Sequence, residues 1–87
     1  MNLLRRYWFS FEPVPEPTPL NLGCGITAFS NEDAINILNQ KIIPRRGGLK
    51  IAEVLEDVDV SLLDPKHVFP NIGSVHIRGV WFPKGYD

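Results

Sequence analysis

The chain has 87 residues, 44% of them hydrophobic and 22% charged, with a formal net charge of −1. That length holds one domain, residues 1–87, and not two, and the composition is that of a folded protein rather than a disordered one. The near-neutral charge disfavours a general nucleic-acid binder, which gathers cations to neutralise phosphate, and a lone cysteine, Cys24, excludes an intrachain disulfide.

The start, Met-Asn-Leu-Leu-Arg-Arg-Tyr-Trp, has no long apolar stretch and no small-residue cleavage site, so no signal peptide is expected. No apolar run is long enough to span a bilayer. With the single thiol, these features lead us to expect a reduced, cytoplasmic compartment and no membrane partner.

Residues 4–12 alternate with a period of two. Arg5, Tyr7, Phe9 and Phe11 share one face, and Arg6, Trp8, Ser10 and Glu12 the other. The aromatic density predicts a strand whose Tyr7/Phe9/Phe11 face lies on the core. Pro13, Pro15, Pro17 and Pro19 then interrupt any ladder, because proline has no N–H to donate. The segment reads as a stiff, polyproline-like connector, the alternative being a ligand for a proline-reading module.

A second strand is predicted over 22–29. Gly23 and Gly25 leave one of its faces without side chains, which admits a bulge or the close approach of another element. Cys24 between them points inward as a small apolar group. Ser30 then opens a helix over 31–42, accepting from the Asp33 amide while Asp33 reaches back in the manner of a capping box. Glu32 and Asp33 favour the positive end of the helix dipole. Ala34, Ile35, Leu38 and Ile42 form its apolar stripe, and Pro44 ends it.

Arg45-Arg46-Gly47-Gly48 reads as an exposed basic turn, with an anion cradle as the sharper alternative. Residues 49–60 fit a helix or a strand; a strand over 50–56 is preferred, because a helix there would lack a clean cap. A loop follows, with one helical turn at 61–64. Residues 74–82 are read as the last strand, with Val75, Ile77 and Gly79 on one face and His76, Arg78 and Val80 on the other. The expected fold is α+β: an antiparallel or mixed sheet of about four strands with one helix packed across it, in the order β-β-α-β-β.

No catalytic constellation stands out, and no enzyme activity or cofactor is expected. His67 and His76 lie in different elements, Cys24 lacks the cationic, exposed setting of a reactive thiolate, and Ser30 is a cap. No metal-ligand spacing is present. Asp57-Val58-Asp59 opens like a calcium loop but lacks the glycine and glutamate that such a loop needs further on.

The acids cluster: Glu53, Glu56, Asp57, Asp59 and Asp64 are five of the chain's ten. They form either a solvated edge whose charge prevents aggregation or a docking surface that steers a basic partner. Trp8 and Trp81 are either apolar anchors for that partner or core residues of a sheet covered on both sides.

Arg6-Tyr7-Trp8-Phe9, Gly23-Cys24-Gly25-Ile26-Thr27-Ala28, Glu32-Asp33-Ala34, Glu56-Asp57-Val58-Asp59-Val60 and Arg78-Gly79-Val80-Trp81-Phe82-Pro83 together resemble small bacterial proteins. In size and style the chain is similar to immunity proteins of contact-dependent growth inhibition and other polymorphic toxin systems. The resemblance implies a cytoplasmic protein that binds and blocks a cognate toxin domain, a nuclease in many such pairs. Many nuclease-blocking immunity proteins are strongly acidic, and this chain is not.

On that reading Asp57, Asp59 and Asp64, with Glu53 and Glu56, meet the toxin's phosphate-binding cations, and Trp8 or Trp81 anchors the contact. One alternative is a nucleic-acid module with Arg5, Arg6, Arg45, Arg46, Lys50 and Arg78 gathered around Tyr7 and Trp8 on one face. The other is a small enzyme using Cys24 or His76.

Overall fold

The computed structural model describes residues 3–85. Four strands form one antiparallel sheet: β1 (Arg5–Phe11), β2 (Cys24–Ala28), β3 (Ile51–Leu55) and β4 (Gly79–Phe82). The one α-helix among the described residues, α1 (Asn31–Lys41), lies between β2 and β3 in the chain. The class is therefore α+β, and the described strand pairs are all antiparallel. The chain order strand, strand, helix, strand, strand does not carry over to the sheet, where the order is β3-β1-β2-β4. After the helix the chain returns to the far side of β1, and its last strand closes on β2.

The ambiguous stretch at 50–56 is thus a strand, β3, paired with β1 from Trp8↔Leu55 to Ser10↔Glu53. A register shift then sets Phe11 opposite Ile51 and passes over Ala52, a bulge near the strand's start.

The helix forms where its cap predicts. The Ser30 side chain accepts from the Asp33 amide at 3.0 Å. The Asp33 carboxylate does not return to Ser30; it accepts from the Phe29 amide at 3.0 Å, one residue earlier. Arg78 closes the same carboxylate in a fork, Nε at 2.9 Å and NH2 at 2.5 Å, so the helix start is tied to the approach to β4. Ala34, Leu38 and Ile42 are buried as the stripe predicts, and Ile37 joins them.

Those side chains meet Tyr7, Phe9, Phe11, Leu20, Cys24, Ile26, Ala28 and Val80 in the larger core. Leu20 arrives from a 3-10 turn, Pro19–Asn21, that follows the proline segment. Asn21 pins that segment by accepting from the Val14 amide and donating to the Val14 and Glu16 carbonyls, so it is a fixed connector.

The sheet's other face is covered as well. Trp8, Val68, Trp81 and Phe82 form a second core, packed by Val58, Val60, Leu63, Ile72 and Val75 from the long 56–78 connection. Trp8 lies 5.8 Å from Trp81 and 5.5 Å from Phe82 between ring centroids, distances at which aromatic pairs attract beyond their buried area. Two glycines make room for the indoles. A Cβ on Gly25 would sit 2.5 Å from Trp81 Cζ2, and one on Gly23, whose φ is +133°, would sit 2.5 Å from Trp8 Cζ2. The Trp81 indole N–H is buried with no acceptor among the described residues, a cost of about 1–3 kcal/mol set against the ring's packing.

The expected strand over 74–82 is shorter, because residues 74–78 leave the sheet. The Val75 carbonyl accepts from the buried Thr27 hydroxyl at 2.7 Å and faces the Arg6 guanidinium at 3.5 Å, so side chains occupy it instead of a ladder partner. Gly79 then turns the chain with a φ of +142°. The outer edge of β4 is held from within the chain, the Gly73 amide donating to the Trp81 carbonyl at 2.7 Å. Among the described residues no helix is long and apolar enough to cross a membrane.

Gly25→Ala should lower stability by about 1–3 kcal/mol through overpacking against Trp81, whereas Gly47→Ala, with nothing within 4 Å of its new Cβ, should raise it by about 0.4–1 kcal/mol; urea titrations of the three chains measure both. The Arg78 fork holds the Asp33 carboxyl below its usual range. Its stabilisation is therefore complete above the ordinary carboxylate pKa and is lost as pH falls through the lowered value. Asp33→Asn should flatten the acid limb of a melting-temperature profile below about pH 4 and lower stability at neutral pH.

Candidate functional site

The acidic run divides by what its carboxylates already hold. Asp59 accepts from the Ser61 amide at 3.0 Å and the Ser61 hydroxyl at 2.6 Å, capping a 3-10 turn at Val60–Leu62. Asp64 accepts from the Lys66 amide at 2.8 Å and meets His67 Nδ1 at 3.1 Å. These hydrogen bonds hold both carboxyls below their usual range. Both acids therefore shape their own loop.

Glu53, Glu56 and Asp57 are different. All three are exposed, and among the described residues none takes part in an ion pair. They stand on and just after β3, an edge strand that is exposed along most of its length. Glu53 shares the face of Ser10, to which it is paired. Asp57 turns the chain with a φ of +55°, after which the Val58 amide donates to the Arg6 carbonyl at 2.8 Å. Aspartate adopts this left-handed conformation more readily than most residues, yet still at a cost.

Beside Glu56 the surface dips into a groove of about 330 Å³. It lies where the start of β1, the end of β3 and the start of α1 converge. Leu3, Arg5, Phe29, Asn31 and Glu56 form its walls, and Tyr7 reaches it from below. Tyr7 is only 2% exposed, and its hydroxyl has no hydrogen-bond partner among the described residues. Burial raises its pKa first, then the charge of Glu56; Arg5 pulls it down, and Asp57 and Asp33 push it up again. The field at the groove floor is thus negative on balance.

The residues expected to serve as apolar anchors are elsewhere. Trp8 is 6% exposed and Trp81 is fully buried, so neither offers a partner a surface to grip. Exposed apolar groups on β3 and at the groove are Leu3, Phe29, Leu55 and Ile51, at 63%, 46%, 44% and 42%. Phe29 carried a signal in the sequence: it precedes the helix cap, where a hydrophobic staple packs on the fourth helical residue. That residue is Ala34, too small to cover the ring.

The cations do not gather on an aromatic face. Arg5 and Arg6 alternate onto opposite sides of β1, Arg46 pairs with Glu16 at 2.9 Å, Arg78 is held by Asp33, and the Arg45 side chain donates to the Gly85 carbonyl. Tyr7 and Trp8, the rings meant to stack bases, are buried. Cys24 is buried between two glycines, and burial pushes its thiol up to about 12, which keeps it protonated and unreactive at neutral pH. Among the described residues no three His, Cys, Asp or Glu side chains cluster as metal ligands would.

Asp57→Gly should relieve the left-handed backbone and raise stability by about 0.5–1 kcal/mol, a rise in melting temperature of about 2–8 °C for a domain of this size; calorimetry of the two chains checks it. Comparison with known protein families, curated proteins and solved structures finds no match to this chain, so the likeness to immunity proteins rests on the sequence segments that suggested it.

Proposed function

We propose that this chain is a cytoplasmic, protein-binding inhibitor of the immunity type, which neutralises a basic toxin domain, a nuclease in the favoured case, by covering its cationic surface. The observation that carries the reading is the exposed edge strand β3 with its unpaired carboxylates, Glu53, Glu56 and Asp57. Phosphate-binding cations on a nuclease are complementary to such a strip, and clustered charge speeds encounter between opposite partners.

The turns built by Asp59 and Asp64 hold the adjacent loop in shape. Leu55, Leu3 and Phe29 supply apolar surface next to the acids, in the mixture of apolar centre and polar rim that protein interfaces use.

The test is capture from the native host with this chain as bait, followed by association kinetics with the captured protein. A single stoichiometric, basic protein is expected. Glu53→Gln, Glu56→Gln and Asp57→Asn combined should slow association by about tenfold or more at low salt and flatten its salt dependence, with melting temperature unchanged or raised. Association that is indifferent to these substitutions removes the acidic edge from the interface. Recovery of nucleic acid in place of a protein overturns the inhibitor reading.

A further inference from the structure

The groove beside Glu56 has a chemistry of its own. At its floor is the Tyr7 hydroxyl, the end of an otherwise buried side chain, which among the described residues has no hydrogen-bond partner and is open to the groove. Its walls combine a free carboxylate, Glu56, with the Asn31 side chain and two partly exposed apolar groups, Leu3 and Phe29.

We infer that this groove receives the side chain of an arginine or lysine presented by the partner protein. The inference rests on the protein-binding reading above and names what that site grips.

An arginine or lysine side chain has an apolar stem and a cationic head. The stem matches Leu3 and Phe29, and the Phe29 ring face also attracts a cation. The head meets the Glu56 carboxylate and donates to the Tyr7 hydroxyl oxygen, which is the acceptor the fold leaves open. Charge-assisted hydrogen bonds of this kind are the strong ones. Asp57 and Asp33 add to the negative field at the floor, and among the described residues lining the groove Arg5 is the cation that opposes it. An anionic ligand would be favoured by Arg5 and the start of α1 but would face Glu56 in the same space.

The test is a titration of the isotope-labelled chain with N-acetyl-arginine methylamide, followed by amide chemical shifts, with N-acetyl-glycine methylamide as the control. Shifts are expected around Tyr7, Phe29, Asn31 and Glu56 with the arginine probe alone. Glu56→Gln should weaken binding about tenfold, and Tyr7→Phe, which removes only an unpartnered hydroxyl and leaves the core intact, should weaken it severalfold. Arg5→Gln should strengthen it.

Three results overturn the inference: no shift at these residues up to the solubility limit of the probe; inorganic phosphate shifting the same amides with loss on Arg5→Gln, which makes the groove an anion site; or binding unchanged by both Glu56→Gln and Tyr7→Phe. If a basic protein is captured and held equally well by Glu56→Gln and Tyr7→Phe chains, the groove falls while the protein-binding role stands. If the arginine probe binds as expected and no protein is captured, the groove stands and the inhibitor role falls.

Discussion

The packing of two indole rings against two glycines is the constraint on which the rest of this structure depends. Trp81 sits where a Cβ of Gly25 would be, and Trp8 where a Cβ of Gly23 would be. With those positions empty, β2 lies between β1 and β4 carrying Cys24, Ile26 and Ala28 toward the helix and two aromatic rings on its back. A small domain has little interior with which to offset chain entropy, and here the sheet acquires two apolar faces rather than one. The second face must then be covered, and the long connection from Val58 to Val75 does so with scattered valines, a leucine and an isoleucine in place of a second helix.

That arrangement concentrates burial at the centre of the sheet and at β4, whose outer edge is closed by the Gly73–Trp81 hydrogen bond. Burial runs out at the opposite edge, where β3 is exposed. The helix sits over β2 and β4, so its N-terminus overhangs the β1 end and one wall of the groove is the helix start itself. Asp33 fixes that wall: it holds the Phe29 amide and the Arg78 guanidinium at once, joining the end of β2, the first turn of α1 and the approach to β4. One partly buried carboxylate thus braces the helix start that walls the groove, while most of the groove's negative charge comes from Glu56.

The local elements were legible because their causes are local. Alternating aromatics made β1, a serine cap with Asp33 made the helix start, and alternating glycines marked the one strand that could accept a close neighbour. What was not legible depends on contacts distant in sequence. Residues 74–78 have strand-like alternation, yet the Val75 carbonyl is taken by Thr27, 48 residues away. Trp8 looks outward in the pattern of β1 and is buried by a connection that begins fifty residues later. The sheet order follows from β3 crossing to the far side of β1, which no periodicity encodes.

For the site, the acid cluster is visible in the sequence, and its division rests on turn chemistry. Asp59-Val60-Ser61 and Asp64-Pro65-Lys66 are turn sequences in which the aspartate caps its own backbone, and that signal separates them from Glu53, Glu56 and Asp57. Tyr7 is core, as the alternation of β1 predicts, and the role proposed for it rests on a hydroxyl without a partner among the described residues.

The exposed edge bears on how a partner could bind at all. An open strand invites another strand to add to it, but β3 is five residues long, carries charge, and is interrupted at Ala52, where the register with β1 slips. Each of these features discourages strand addition and self-association. The same features leave side chains on both faces of the edge, Glu53 on the tryptophan side and Glu56 at the groove. On the proposed function, recognition at this edge would run through side-chain charge and a pocket rather than through a continued ladder. On that reading one set of carboxylates would both discourage edge-to-edge pairing and favour a partner of opposite charge.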